Sequence, residues 1–196
     1  MIAALVGPTA ESVLDVGCRD RALRTFLPRD IRYVGVDLGP PADVIATAEK
    51  PLPFKDRSFD VVIFADVLEH LNDPHGAMDE ALRIARQAVV VVLPNMFSLV
   101  HRLYFVRGRM ATRKYDFGPD RIVDRHRWLM NVDQAHSFVS GRAEQASWHV
   151  RRACAHQQHF RRPAAVIAYR VARVIGSPNL WAWDYAARVE PGSSGH

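Results

Sequence analysis

Four consecutive valines, Val89 to Val92, flanked by Ala88 and Leu93 and stopped by Pro94, constrain this chain more than any other feature. A β-branched run without polar alternation fits a strand buried on both faces, and such strands belong to parallel sheets covered by helices on either side. Shorter strand-like runs precede it at Val13 to Gly17, Arg32 to Asp37, Asp43 to Ala46 and Asp60 to Phe64. Helices are expected over Arg21 to Leu27, closed by Pro28, and over Asp73 to Arg86, where Asn72, Asp73 and Pro74 supply a cap and a first-turn proline. Parallel neighbours need crossovers, so the alternation predicts an α/β fold: a mostly parallel sheet with helices on both faces.

Beyond Pro94 the pattern changes. Met96 to Arg107 reads as an amphipathic basic helix, with apolar Phe97, Val100 and Tyr104 beside Arg102 and Arg107. Its apolar side suits either a cover over the sheet or pocket, or peripheral contact with a membrane surface. Gly108 to Arg127 is polar and irregular, Asn131 to Val139 helical, Ala146 to Ala155 a strand, Pro163 to Ile175 an apolar helix, and Trp181 to Val189 a last strand. Residues 1–190 are read as one domain and 191–196 as a flexible tail; 196 residues are enough to bury a full core.

Hydrophobic residues at 48% and charged ones at 24% exclude wholesale disorder. Cys18 and Cys154 match no disulfide framework or metal spacing, which favours reduced thiols and a cytoplasmic setting. The amino end shows no basic leader, and no apolar stretch approaches a membrane span. Lys and Arg exceed Asp and Glu by 26 − 21 = 5, much of it after Val100, which fits a solvated face or an anionic partner. No base-reading motif appears, so nucleic acid is not expected. His149, His156 and His159 lack acid or cysteine partners at ligand spacing, and no metal is expected.

Four segments carry the chemistry. Asp15-Val16-Gly17-Cys18-Arg19-Asp20-Arg21 closes the first strand; Tyr33-Val34-Gly35-Val36-Asp37 ends in a carboxylate 20 residues past Gly17; Leu52-Pro53-Phe54 leads through a turn to Asp60. An acid so placed is where Rossmann-like sites accept hydrogen bonds from ribose hydroxyls. After the fourth strand comes Ala65-Asp66-Val67-Leu68-Glu69-His70-Leu71. Together these segments resemble the class I S-adenosylmethionine-dependent methyltransferases of the type 11 group. The run Val89 to Phe97, continuing through Arg102-Leu103 to Gly108-Arg109-Met110, resembles the branch containing the MetW proteins.

That resemblance implies a seven-stranded Rossmann-like sheet with an antiparallel last strand and S-adenosylmethionine as cofactor. It places Asp15, Gly17, Cys18 and Arg19 in the ligand loop, Asp37 on the ribose, Leu38 against the adenine, and Ala65 and Asp66 beside the methionine portion. Thr47 stands where many relatives have an adenine-binding carboxylate, which leaves that task to Ala48 and Glu49. The family loop carries three glycines; here Arg19 and Arg21 replace two of them. They turn outward, clamp the ligand's carboxylate, or fill the pocket. His70 faces the acceptor side, and the Asp124-Arg125-His126-Arg127-Trp128 cluster brings His126 there, both histidines being candidate general bases. The expected partner is a small-molecule acceptor. The alternative is a non-catalytic methyltransferase-like module that docks on a partner enzyme. A nicotinamide oxidoreductase is disfavoured because the loop lacks Gly-x-Gly-x-x-Gly. The sequence sets no oligomeric state.

Overall fold

The apolar runs become strands in a computed structural model that describes residues 1–117, 119–120, 124–156, 169–171, 173–174 and 176–192. They are β1 (Ser12–Val16), β2 (Arg32–Asp37), β3 (Val44–Ile45), β4 (Phe59–Ala65), β5 (Ala85–Pro94), β6 (Trp148–His156) and β7 (Asp184–Pro191). They form one sheet in the order β3-β2-β1-β4-β5-β7-β6. β1 to β5 pair in parallel, and β7 is antiparallel to both β5 and β6. This is the mostly parallel, Rossmann-like sheet with an antiparallel last strand.

The four valines sit centrally because β5 is paired along both edges, Val61 to Ala65 of β4 opposite Ala88 to Val92 and β7 on the other side. Side-chain alternation then divides them between two cores. Leu14, Val16, Val62, Phe64, Val89 and Val91 face the layer formed by α2 (Pro74–Ile84) and α4 (Val132–Gln145). Val13, Val61, Ile63, Val90 and Val92 face the opposite layer, with α1 (Ile2–Val6), Leu27 and Ile31. Asp60 bolts the lower end of β4 to β1: its carboxylate accepts from the backbone N–H groups of Glu11 and Ser12 at 3.0 and 2.9 Å and from Ser12 Oγ at 2.8 Å. Burial alone pushes the Asp60 carboxyl up, but these bonds and Arg86 at 3.3 Å outweigh it and hold it below its ordinary value.

Local signals explain the boundaries. Asp73 caps α2 by accepting from the Gly76 N–H, and Asn131 with Gln134 forms a capping box on α4, which runs to Gln145 rather than ending at Val139. The helix expected over Arg21 to Leu27 is a 3-10 turn, Ala22–Phe26, entered from a left-handed Arg21 at φ 63° and left through Arg24 bonds to the Pro28 and Arg29 carbonyls. The helix expected from Met96 begins later, as α3 (Leu99–Val106), because Ser98 is extended; Leu103, Tyr104, Phe105 and Val106 are exposed on it. The strand expected from Trp181 starts at Asp184, after a single helical turn, Pro178–Trp181. Most of the helix expected over Pro163 to Ile175, and the tail from residue 193, lie outside the described residues. Among the described residues no helix is long and apolar enough to cross a membrane.

Candidate functional site

The strand order reverses between β1 and β4, and at the carboxyl ends of those strands a parallel sheet opens a crevice. A cavity of about 670 Å³ lies there, within the roughly 300–1,000 Å³ of pockets that hold drug-sized ligands. Its walls include Gly17, Arg19, Asp37, Leu38, Ala48, Glu49, Ala65, Asp66, His70 and His126, which brings together residues expected from five separate stretches of sequence.

The loop after β1 is tied to β2: the N–H groups of Gly17 and Cys18 both donate to the Val36 carbonyl, at 2.8 and 3.1 Å. Gly17 has φ 78°, and a Cβ there would lie 2.3 Å from Val67 Cγ2, so glycine is needed both for the turn and for the approach of β4's end. Arg19 and Arg21 adopt positive φ of 47° and 63°, preserving a glycine-like path with side chains that must go elsewhere. Arg21 leaves the cavity, pairing with Asp43 Oδ1 at 2.8 Å and lying over the Tyr33 ring. Arg19 stays on the cavity wall, and its backbone N–H donates to Asp37 Oδ2 at 2.7 Å. The two arginines therefore do not fill the space.

Two residues expected beside the ligand lie behind the loop instead. Asp15 is buried under it and accepts from the Tyr33 hydroxyl at 2.5 Å; burial pushes its carboxyl up to about 6, although the Tyr33 bond opposes that. Cys18 is buried against Gly35, which has no room for a side chain, and burial with the nearby Asp15 raises its thiol to about 11. A thiol so placed packs and stays protonated.

On the β2 side, Asp37 Oδ1 accepts from the Leu38 N–H at 2.6 Å, which fixes the carboxylate at the cavity edge, and Leu38 is 74% exposed beside it. Glu49 lines the cavity, but its carboxylate is engaged: Oε1 accepts from the Asn72 backbone N–H at 2.7 Å and its side-chain amide at 3.0 Å. Thr47 and Ala48 complete that wall.

At the end of β4, Asp66 takes φ 55°, and burial raises its carboxyl despite Lys114, His70 and Arg19. Asp184, at the start of β7, is pushed up to about 7 by burial and by Asp66. The 3-10 turn Leu68–His70 then receives the 124–128 stretch: Arg127 N–H donates to the Glu69 carbonyl at 2.8 Å, Arg127 Nε to the His70 carbonyl at 2.8 Å, and Trp128 Nε1 to the Leu71 carbonyl at 2.8 Å. These bonds set His126 against His70, with ring centroids 4.6 Å apart and nearly perpendicular. Burial holds His70 below its ordinary value and takes His126 down to about 4, helped by Lys114 and His70, so both rings are neutral at pH 7.

Glu69, Lys114 and Asp184 at this end of the cavity, and Tyr115 beside His126, were not expected from the sequence, whereas Asp124 belongs to the 124–128 cluster expected there. Glu69 was visible inside the Asp66 to His70 run, yet nothing local shows that its carboxylate turns inward to 0% exposure. Lys114 and Tyr115 lie in a stretch without periodicity, where only the folded chain shows that Lys114 reaches the cavity and Tyr115 the His126 ring. His149 is exposed, and the side chains of His156 and His159 lie outside the described residues.

Residues 14–93 match the sequence model of the methyltransferase-domain family. The chain is 35% identical over 98 residues to an uncharacterized methyltransferase of Mycobacterium sp. (strain KMS), covering 44% of this chain and 39% of that one. It is 31% identical over 117 residues to the demethylmenaquinone methyltransferase of Renibacterium salmoninarum, covering 56% and 48%. The chain thus spans less than half the length of these curated relatives. A SAM-dependent methyltransferase from Methanosarcina mazei has the same fold, with TM-score 0.61 over 97% of each chain at 11% identity. Another, from Thermotoga maritima, gives 0.60 over 96% of this chain and 88% of that one at 16% identity.

Proposed function

We propose that the chain binds S-adenosylmethionine in this cavity and methylates a small-molecule acceptor that approaches from the His70 and His126 side. The observation that carries the reading is Asp37: a carboxylate at the end of β2, held by the Leu38 and Arg19 N–H groups, across from the Gly17 turn at the switch point. Its remaining lone pairs are placed to accept from both ribose hydroxyls. Leu38 and the Thr47–Ala48 wall flank the adenine, Arg19 meets the ligand's carboxylate, and Asp66 meets its ammonium group. This fits the space available and the donor set, since the lining offers carboxylates to a ligand with two positive centres and a guanidinium to its one negative end.

The cofactor, when bound, supplies a methyl group on a sulfonium that leaves as a neutral thioether, so the chemistry is already activated. What the protein contributes is alignment and exclusion of water. His70 and His126 stand at the acceptor end of the donor site as neutral rings and shape the space in which an acceptor O–H or N–H meets the methyl group. The Pro94 to Phe97 corner supports the MetW-like branch: Asn95 Nδ2 donates to the Ala182 and Asn179 carbonyls while its Oδ1 accepts from the Phe97 N–H, fixing the turn that follows β5. Two free thiols favour action in the cytoplasm.

Incubation with methyl-labelled S-adenosylmethionine and a panel of alcohols, amines, thiols and quinols tests the reading. Label is expected in at least one acceptor and is lost in Asp37→Ala. Cofactor binding with no transfer to any acceptor, together with stoichiometric capture of a partner enzyme, would instead favour the docking-module reading.

A further inference from the structure

Glu69 is fully buried, and neither carboxylate oxygen has a hydrogen-bond partner among the described residues. Its Oε1 lies 3.8 Å from His70 Nε2 and 3.7 Å from His126 Nε2. The partners of the other ring nitrogens bear on both tautomers. His70 Nδ1 is 3.0 Å from the Arg125 carbonyl, which only accepts, so Nδ1 carries the proton. The Tyr115 hydroxyl lies 3.0 Å from the Trp128 carbonyl and 3.1 Å from His126 Nδ1; with its single proton donated to the carbonyl, His126 Nδ1 donates to it and Nε2 is left bare. In that arrangement each ring turns a bare Nε2 lone pair toward Glu69. Three acceptors converge in a buried place, with His126 Nε2 also unpartnered among the described residues.

Such a convergence is costly unless something positive resolves it. A proton on Glu69 would serve one ring nitrogen at most, and both lie beyond hydrogen-bond reach. A cation serves all three groups together. We propose that Glu69, His70 and His126 bind one divalent first-row transition-metal ion. Two imidazoles and one carboxylate are a donor set such ions take, with room left for a further ligand. The three ligand atoms already lie within 4.8 Å of one another. Around an ion with bonds of about 2.1 Å, tetrahedral ligands sit roughly 3.4 Å apart, so each Glu69–histidine distance needs to close by about 0.3–0.4 Å.

The surroundings are those of a metal site. Beside its carbonyl bond, His70 Nδ1 lies 3.3 Å from Asp124 Oδ1, and Lys114 holds Asp124 Oδ2 at 3.3 Å. Outer groups of this kind, a carbonyl or carboxylate on the far nitrogen, orient ligating imidazoles. All three residues line the cavity. An ion there supplies Lewis acidity to a bound oxygen. That this oxygen belongs to the methyl acceptor rests on the proposed function; the ion site itself does not. No spacing rule could show it, because His126 is 56 residues from His70 in the chain.

The test uses the whole chain, stripped with chelator and titrated with Co²⁺ by visible absorption and with Zn²⁺ by calorimetry. One equivalent is expected, with Co²⁺ ligand-field bands and no intense thiolate charge-transfer band, which sets Cys18 and Cys154 aside. Glu69→Gln and His126→Ala should each weaken binding about 100-fold or more, and Asp124→Asn about 10–100-fold, as loss of an outer partner does. Circular dichroism checks folding; if Glu69→Gln does not fold, His126→Ala and Asp124→Asn decide. Calorimetry with S-adenosylhomocysteine on the same variants reads the donor site separately, so metal binding without nucleoside binding sinks only the methyl-transfer reading. A folded native chain that takes up no stoichiometric metal, or equal affinity in native and His126→Ala, overturns the proposal.

Discussion

Replacing Gly17 by alanine probes the loop that shapes the cavity. The backbone there has φ 78°, a conformation that costs a residue bearing a Cβ about 1–2 kcal/mol. The new methyl would sit 2.3 Å from Val67 Cγ2 and 3.4 Å from Val67 Cγ1, so Val67 must move or the loop must lift. Overpacking of that kind adds about 1–3 kcal/mol, for a total loss of about 2–5 kcal/mol. For a chain of this length each kcal/mol shifts the midpoint by about 2–4 °C, so thermal unfolding should fall by about 4–20 °C. Val67→Ala removes the atoms in the way. The double variant Gly17→Ala/Val67→Ala should therefore lose less than the sum of the single variants by about 1 kcal/mol or more, measured as a coupling energy in denaturant titrations. Strictly additive losses, or a Gly17→Ala chain as stable as the native one, would refute the claim that contact with the end of β4 dictates glycine here.

Three other outcomes follow from the same geometry. Asp60→Ala leaves the Glu11 and Ser12 donors without their acceptor and should cost about 3 kcal/mol or more in chemical unfolding, with little change in ligand affinity because Asp60 lies at the opposite end of the strands. With Asp15 at about 6, the folded chain keeps a proton that the unfolded chain releases near pH 4, so stability should fall by about 3 kcal/mol as pH rises from about 4 to about 6, and Asp15→Asn should flatten that slope in pH-dependent unfolding. Arg19→Ala should weaken S-adenosylhomocysteine binding about tenfold, whereas Arg21→Ala, turned onto Asp43, should leave it unchanged in the same titration.

The sheet was legible because burial on two faces writes itself into composition: Val89 to Val92 and the short runs before it admit few other arrangements. Asp37 was legible because the strand-turn-acid order is a local pattern with a spatial consequence. Side-chain direction was not. Whether Arg21 entered the cavity depended on Asp43, 22 residues away, and whether Glu49 was available depended on Asn72. The assembly of Glu69 with His70 and His126 depends on backbone bonds between the 124–128 stretch and the turn after β4. Contacts between irregular segments leave no periodicity to read. The 3-10 turn in place of a first helix is a similar case, set by the left-handed Arg21 before it and by Arg24 bonding to the Pro28 and Arg29 carbonyls after it.

Titration calorimetry with S-adenosylhomocysteine tests the cavity assignment most directly. The native chain should bind one equivalent, and Asp37→Ala should bind at least about tenfold more weakly, since charge-assisted hydrogen bonds of this kind contribute about 1.5–3 kcal/mol. Absence of heat and of any thermal shift at millimolar ligand, or equal affinity in the Asp37→Ala chain, would contradict the account.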